Sequence, residues 1–254
     1  MMLRKALPLA LALPITASIA AEAAPPDITF LCQEMPDICT NMCWAVRCAK
    51  PTFSQQLTLD YPSDDLRRQR LESSGCARCA SNATVSARND ACNAYPFPDT
   101  SESVSSNASA VSRCVPREQQ TKQDADVAIL AKKFRQTGQR SFRINFGNPG
   151  AAGVKYCLSE PCENDDREEQ EEALQKRALA APFRVFMTNS GMTVASMDDL
   201  GADYSFTRRV GAEEKLSPQA QMWQEDFKGE RYAFVTDSVV REMNAAEIRG
   251  KTGR

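Results

Sequence analysis

Ten cysteines, all within residues 32–162, constrain this chain more than any other feature. They follow an N-terminal stretch that has the three parts of an export signal: the basic pair Arg4 and Lys5, an apolar run, and a small-residue exit that ends at Ala23. An even number of cysteines behind such a signal favours disulfides in an oxidising compartment. We therefore predict a signal peptide over 1–23, a secreted extracellular protein, and disulfides among these residues: Cys32, Cys39, Cys43, Cys48, Cys76, Cys79, Cys92, Cys114, Cys157 and Cys162.

Two alternatives compete with this interpretation. The apolar run could be a membrane anchor that is not removed, but it is shorter than the roughly 20 apolar residues that span a bilayer. The spacings Cys76-x-x-Cys79 and Cys39-x-x-x-Cys43 could suggest zinc, but the chain has no histidine to complete the common sites. We therefore expect no membrane contact after signal removal. The spacing does not give the disulfide connectivity.

The distribution of the cysteines also suggests a domain division. We predict a Cys-rich domain over 24–162, an acidic helical linker over 163–180, and a C-terminal segment of unknown role over 181–254. Lys176-Arg177 resembles a dibasic processing site. An alternative is that the C-terminal segment is the functional part and the Cys-rich domain serves it. Nothing in the sequence indicates an oligomeric state.

The spacing of the hydrophobic residues predicts both helices and strands in the Cys-rich domain. Residues 64–71 predict a helix with acidic residues in its first turn, and Asp124–Gln136 predicts another that is closed by Gly138. Alternation over 140–146 predicts a strand. The expected fold class is α+β: a small disulfide-stapled domain with a short antiparallel sheet and helices, followed by the linker and a smaller C-terminal α+β segment.

The C-terminal segment has a pattern of its own. Residues 183–187 and 192–196 flank a turn and predict a hairpin. Residues 231–236 predict one more strand. Asp237 then predicts the cap of a final helix that contains Val240, Met243 and Ile248 and ends before Gly250.

The absence of histidine limits the chemistry. No imidazole is available as a general base, which excludes serine triads, cysteine–histidine pairs and zinc-protease helices. A hydrolase built from this chain must use carboxylates, lysine or a metal-bound water. For a phosphodiester substrate, oxygen ligands would hold a hard divalent ion that activates water.

One stretch indicates a function. Cys92-Asn93-Ala94-Tyr95-Pro96-Phe97, followed by Arg113-Cys-Val-Pro116, resembles the centre of the secreted NucA/NucB deoxyribonuclease family, whose pattern is Cys-Asp-Glu-Tyr-Pro-Phe-Ala and then Arg-Cys-Val-Pro. Residues 57–60, 64–68 and 142–146 resemble the flanking segments of the same family. The resemblance covers roughly 57–146, with an extension to 32 and 162. It implies metal-dependent cleavage of DNA.

The acidic pair that the family uses in cleavage is replaced here by Asn93 and Ala94. Asn93 still offers a carbonyl oxygen to a cation, whereas Ala94 offers nothing. Downstream, Glu102 matches the acid of the family's Glu-Gly-Gly element, although both glycines are replaced. If a site is rebuilt, we expect Asp90, Asp99 and Glu102 as catalytic acids and Asp90, Asn93 and Glu102 as ligands of Mg²⁺ or Mn²⁺. The alternative is that these acids are solvated loop residues.

The predicted phosphate contacts are arginines, because a guanidinium can donate two parallel hydrogen bonds to a phosphate. The resemblance selects Arg67, Arg68 and Arg113, to which we add Arg117. They could instead form salt bridges with neighbouring acids. Residues 113–155 carry nine basic and three acidic residues, an excess that could meet DNA or be an ordinary solvated face.

The sequence also predicts the roles of two aromatic residues and two asparagines. Tyr95 and Phe97 are expected to pack in the core rather than to stack on bases. Asn82 and Asn107 fit the glycosylation acceptor pattern. The leading hypothesis is a secreted NucA/NucB-type protein with a degraded or rearranged active site, and the alternative is a non-catalytic extracellular Cys-rich binding protein on the same scaffold.

Overall fold

The computed structural model describes residues 27–81, 90–104, 110–163, 168–169, 181–212, 214–216 and 222–252. The predicted signal peptide, the two glycosylation acceptors Asn82 and Asn107, most of the acidic linker and the dibasic pair Lys176-Arg177 lie outside these residues. Five helices are described: α1 Pro36–Arg47, α2 Asp64–Ser73, α3 Ala77–Ser81, α4 Arg117–Thr137 and α5 Ala245–Thr252. A short 3-10 turn covers Ser101–Val104.

Eleven strands accompany the helices in the described part of the chain. They are β1 Asp27–Leu31, β2 Gln56–Thr58, β3 Ala91–Tyr95, β4 Val111–Val115, β5 Ser141–Gly147, β6 Glu168–Glu169, β7 Arg184–Thr188, β8 Thr193–Ser196, β9 Ser205–Arg209, β10 Met222–Phe227 and β11 Glu230–Glu242. They form an eight-stranded sheet and a three-stranded sheet, the latter in the order β3-β4-β6.

The predicted fold class is wrong in its central feature, because the large sheet closes on itself. Its strands run β1-β9-β11-β7-β8-β5, and β5 pairs again with β1, which makes a closed six-stranded barrel. β2 adds to β5 and β10 adds to β11 at the outside of this ring. A short antiparallel sheet with helices does not describe this arrangement. β1 closes the ring by pairing in parallel with both of its neighbours, β5 and β9.

The strands of the C-terminal segment take part in this ring. β8 pairs antiparallel with β5, at Phe146↔Ala195, and β9 pairs parallel with β1, at Ile28↔Thr207. Pairing between strands so far apart in the chain carries no local sequence signal, which is why periodicity could not predict it. Four of the six strands of the ring come from beyond residue 183.

Several local elements are confirmed where short-range chemistry specifies them. The Ser63 hydroxyl accepts a hydrogen bond from the Leu66 N–H and caps α2. Gly138 ends α4 with φ 74°, a left-handed conformation that glycine adopts without strain. The hairpin is present as β7 and β8. The predicted cap at Asp237 is wrong, because β11 continues to Glu242 and the last helix starts only at Ala245.

All ten cysteines form disulfides, as predicted. The pairs are Cys32–Cys39, Cys43–Cys157, Cys48–Cys162, Cys76–Cys92 and Cys79–Cys114. The first three connect α1 to β1 and to the segment after β5, and the last two fix the α2–α3 region to β3 and β4. The spacings that could have suggested zinc therefore belong to cysteines with different disulfide partners. None of the described helices is long and apolar enough to cross a membrane.

Candidate functional site

The family-like motif lies on the antiparallel pair β3 and β4. Asn93 of β3 is opposite Arg113 of β4, and Ala94 is opposite Ser112. Both β3 and β4 pack on α1, and β3 also contacts α4. The side chain of Asn93 is fully buried. The position where the family has its first acid is therefore an interior position between a sheet and two helices.

Asn93 is held by three other side-chain amides. Its Oδ1 accepts a hydrogen bond of 2.8 Å from the Nδ2 of Asn41 on α1. Its Nδ2 donates to Gln123 Oε1 over 2.5 Å and to Gln120 Oε1 over 3.2 Å, both on α4. These four side-chain amides are neutral, so the groups bonded directly to Asn93 carry no charge. Both ends of the Asn93 amide are used by the protein itself.

The network continues to an acid that sequence reasoning missed. Gln120 Nε2 donates a hydrogen bond of 2.9 Å to Asp124 Oδ1. Burial raises the pKa of Asp124 above its ordinary value, although Gln120 and Arg67 act in the opposite direction. The guanidinium of Arg67 lies between this acid and Asp99, at 3.9 Å and 3.1 Å. Two carboxylates and one arginine thus converge beside the amide network.

Arg113, which matches the family's arginine, is also buried and faces an acid. Its Nη2 lies 3.5 Å from Asp37 Oδ1 at the start of α1, and only 3% of the side chain is exposed. Gln119 of α4 donates from Nε2 to the other oxygen of Asp37 over 3.1 Å. This arginine therefore connects β4 to α1 in the folded protein.

The predicted acids do not gather around Asn93. Asp90 Oδ2 accepts a hydrogen bond of 2.9 Å from Arg117 at the surface. Glu102 Oε2 accepts one of 2.9 Å from the backbone N–H of Thr58 on β2. Asp99 is paired with Arg67. Each of the three acids has a separate partner in a different part of the site.

A divalent ion of the kind that the family uses needs several oxygen ligands, usually with carboxylates among them. No group of three or more histidine, cysteine, aspartate or glutamate side chains that could hold a metal exists among the described residues. The donor set around Asn93 consists of amides already bonded to each other. These residues do not fit a metal centre, and the assignment of Asp90, Asn93 and Glu102 as ligands stays a prediction.

Tyr95 and Phe97 pack in the core, as predicted. Their exposed fractions are 0% and 3%, and their rings meet edge to face with centroids 5.4 Å apart. The hydroxyl of Tyr95 donates to the Ser54 carbonyl oxygen over 2.5 Å, and burial raises the pKa of this phenol. Tyr95-Pro96 is a cis peptide. The aromatic frame of the motif is thus structural.

The two remaining predicted arginines are at the surface. Arg68 pairs with Asp65 three residues earlier on α2, and Arg117 pairs with Asp90. Their side chains are 64% and 67% exposed. Such exposed pairs are weak, so both guanidinium groups can exchange their partner for a phosphate at small cost.

Five residues of the site had no signal that sequence reasoning used: Asp37, Asn41, Gln120, Gln123 and Asp124. Asp37 and Asn41 lie on α1, tens of residues before the motif, and the other three lie on α4, which begins directly after Pro116. Asparagine and glutamine follow no periodic pattern that would mark them as buried. The sequence does place Gln120, Gln123 and Asp124 at helical spacing, so they share one side of a helix, but this spacing does not show that the side is buried.

Residues 42–145 match the family model described as deoxyribonuclease NucA/NucB. This range includes β3, β4, α2 and α4, and therefore Asn93 and its two glutamine partners. Comparison with curated proteins and with solved structures found no significant match. The resemblance that the motif indicated is therefore confirmed as a match of residues 42–145 to the model of the NucA/NucB deoxyribonuclease family.

Proposed function

We propose that this chain is a secreted NucA/NucB-type, deoxyribonuclease-like protein whose centre no longer supports the metal-dependent cleavage of its family. The observation that carries the proposal is the set of hydrogen bonds around Asn93. An acid at this position would present anionic oxygens, whereas the amide donates to Gln123 and Gln120 through its nitrogen. Both ends of the Asn93 amide are satisfied by neighbouring amides, so this side chain needs no metal ion to complete its hydrogen bonds, although the Oδ1 of Asn41 has no partner among the described residues.

The chemistry of the reaction supports this proposal. Cleavage of a phosphodiester without imidazole requires a metal ion that generates a nucleophilic water and neutralises charge on the phosphate oxygens. Asn93 and Ala94 supply no carboxylate for such an ion. Loss of a ligand charge weakens the binding of a divalent ion, and loss of a general base typically lowers the rate by a factor of about 100 to 10,000.

Contacts with DNA would survive the loss of cleavage. Arg68 and Arg117 are exposed, Arg68 in a surface ion pair with Asp65 and Arg117 in contacts with the carboxylate and the backbone carbonyl of Asp90, so both can contact a phosphate backbone without any change of fold. The alternative function, a non-catalytic extracellular binding protein, uses the same arginines. The secreted location rests on the N-terminal signal pattern and on the five disulfides.

The test is plasmid nicking by the oxidised protein at high concentration, with Mg²⁺ or Mn²⁺ and with a chelator as control. We expect no nicking. Chelator-sensitive nicking that disappears in Glu102→Gln would overturn the proposal and indicate a rebuilt centre. The double variant Asn93→Asp, Ala94→Glu returns both acids of the family pattern, and nicking by this variant alone would show that the missing acids are the cause.

A second measurement separates DNA binding from binding of another extracellular partner. Retention of DNA that weakens steeply with salt indicates binding through phosphates, and Arg68→Ala with Arg117→Ala should then reduce the salt dependence. Absence of retention by folded protein would remove DNA as the ligand and leave an extracellular partner of another class.

A further inference from the structure

A cleft separate from the Asn93 network lies between α4 and the outer face of the barrel. Its volume is about 230 Å³. The apolar floor is formed by residues of both walls: Ile28 of β1, Ile129 and Leu130 of α4, and Phe234 of β11. The indole of Trp223 on β10 adds an aromatic wall and stacks on Phe234 with ring centroids 5.8 Å apart. The cleft is therefore wide enough for one flat ring system and too small for a drug-sized molecule.

The cleft contains a buried acid whose hydrogen bonding is incomplete. Asp126 lines it and is 2% exposed. The Oδ1 of this carboxyl group has no hydrogen-bond partner within the described residues, and neither does Nη2 of Arg209, which lies 3.4 Å from Oδ2. A buried acceptor without a donor costs about 1–3 kcal/mol, so a donor delivered by a ligand would recover that cost. The missing partner is an N–H or O–H group.

The rim of the cleft carries two lysines and one acid, Glu225. Lys132 and Lys133 both line it from α4 and are exposed. Lys132 Nζ reaches Glu225 of β10 over 2.7 Å, and Lys133 Nζ lies 4.8 Å from the centre of the Trp223 ring. Lys133 has no acid within salt-bridge distance among the described residues. An anionic group at the mouth would find an ammonium that has no other counter-ion there.

We propose that this cleft binds a nucleotide, with its base between the apolar floor and Trp223, an N–H of the base donated to Asp126, and a phosphate at Lys132 and Lys133. A nucleotide has the three features that match the cleft: a flat ring, an N–H donor on the edge of that ring, and a linked anionic phosphate. A free nucleotide and a base of a single DNA strand share this chemistry.

The cleft and the Asn93 network share no residue of α4. Asp126, Ile129, Leu130 and Lys133 recur at three- and four-residue intervals, which places them in one stripe of the helix. Gln120 and Asp124 form a second stripe, which faces Arg67 and β3. Nucleotide binding is therefore independent of whether the Asn93 centre cleaves DNA, and the two can be tested separately.

Calorimetric titration of the oxidised full chain tests the proposal. The probes are the adenosine, guanosine, cytidine and thymidine monophosphates, the corresponding nucleosides, a short single-stranded oligonucleotide, and inorganic phosphate alone. We expect at least one monophosphate to bind, and the Lys132→Ala, Lys133→Ala variant to bind it about tenfold more weakly with the nucleoside affinity unchanged. Lys251→Ala is the matched control, because Lys251 contacts Met187 and Gly191 away from the cleft.

Two substitutions close the cleft from opposite walls. Ile129→Trp fills it from α4 and Thr207→Phe from β9, and each should abolish binding in protein whose thermal melting is still cooperative. Tighter binding of the oligonucleotide than of any monophosphate would identify the base of a DNA strand as the source. Two results would overturn the proposal: no binding of any base-containing probe at millimolar concentration, or binding that persists in both filled variants.

Discussion

Arg70 holds Asp60 through both terminal nitrogens of its guanidinium, with Nη1 3.0 Å from Oδ1 and Nη2 2.5 Å from Oδ2. Nη1 also donates to the Pro98 carbonyl oxygen over 2.8 Å. The arginine side chain is 5% exposed and that of Asp60 is 28% exposed. This one side chain therefore fixes α2 to the strand preceding it and to the turn that follows the family-like motif.

Replacement of this arginine should destabilise the protein strongly. In Arg70→Ala the partly buried Asp60 and the Pro98 carbonyl lose their donor, and we expect a loss of about 2–4 kcal/mol in the free energy of unfolding. Arg68→Ala on the same helix is the control, because its exposed pair with Asp65 should contribute less than about 1 kcal/mol. Urea denaturation of the oxidised variants measures both. Equal losses would contradict the structural role of Arg70.

The single change Asn93→Asp should destabilise the fold in a pH-dependent way. It replaces a donor to Gln123 by an acid in a fully buried position, so burial should raise the pKa of the new carboxyl. The loss in the free energy of unfolding should be small below about pH 5, where the new carboxyl group is protonated, and about 1–3 kcal/mol near pH 7.5. Gln224→Glu on the exposed side of β10 gives the same change in charge without burial. A loss in the free energy of unfolding that does not change with pH in Asn93→Asp would contradict this prediction, because it would mean that ionisation of the buried carboxyl group does not destabilise the fold.

Two disulfides that enclose the same span should behave non-additively. Cys43–Cys157 and Cys48–Cys162 each join residues 114 positions apart. While one of these disulfides remains, the second closes only a small additional loop. Replacement of either cysteine pair by alanine should therefore lower the free energy of unfolding by about 2–3 kcal/mol. Removal of both disulfides also opens the long loop, and should lower the free energy of unfolding by about 5 kcal/mol more than removal of one disulfide does. Denaturation of the two single and one double variants tests this. Strict additivity would show that these disulfides do not stabilise the protein mainly by restricting the unfolded chain.

The elements that the sequence predicted are those with local causes. The helix α2 follows from Ser63 and its acidic first turn, and α4 ends where Gly138 permits a left-handed conformation. The closure of the ring depends on β1, which pairs with strands from two distant parts of the chain. Periodicity predicted β5, β7, β8 and part of β11, but it predicted neither β1 nor β9, and no short-range pattern shows that a strand has two parallel neighbours.

The candidate site divides in the same way. The motif identified Asn93 and Arg113 as positions of the site, and the structure places them opposite each other on β3 and β4. The partners that decide what Asn93 can do come from α1 and α4, through tertiary packing alone. Acids near the motif in sequence, such as Asp90, have partners elsewhere. Proximity along the chain was therefore a poor guide to the contents of the site.

Stability should fall as the pH rises from about 4 to 7, because two buried acids keep their protons in the folded state. Burial raises the pKa of Asp126 to about 7 despite the opposing charge of Arg209, and burial also raises the pKa of Asp27 to about 7. In an unfolded chain such groups titrate near about 3.9, so between these values the native state binds more protons than the unfolded state. The free energy of unfolding therefore decreases over this interval, and the slope flattens above about pH 7.

Asp126→Asn should remove about half of this slope. The amide does not titrate, so the loss between about pH 4.5 and 7.5 should shrink by about 1–3 kcal/mol relative to the unsubstituted chain. Asp27→Asn should remove a further part, and the double variant should keep the smaller slope that the raised pKa of Asp124 contributes. Urea denaturation at several pH values measures the slopes, which are compared instead of the absolute stabilities because Arg209 loses a counter-ion in Asp126→Asn. A stability of the unsubstituted chain that rises steadily over this interval would contradict the assignment of these two acids.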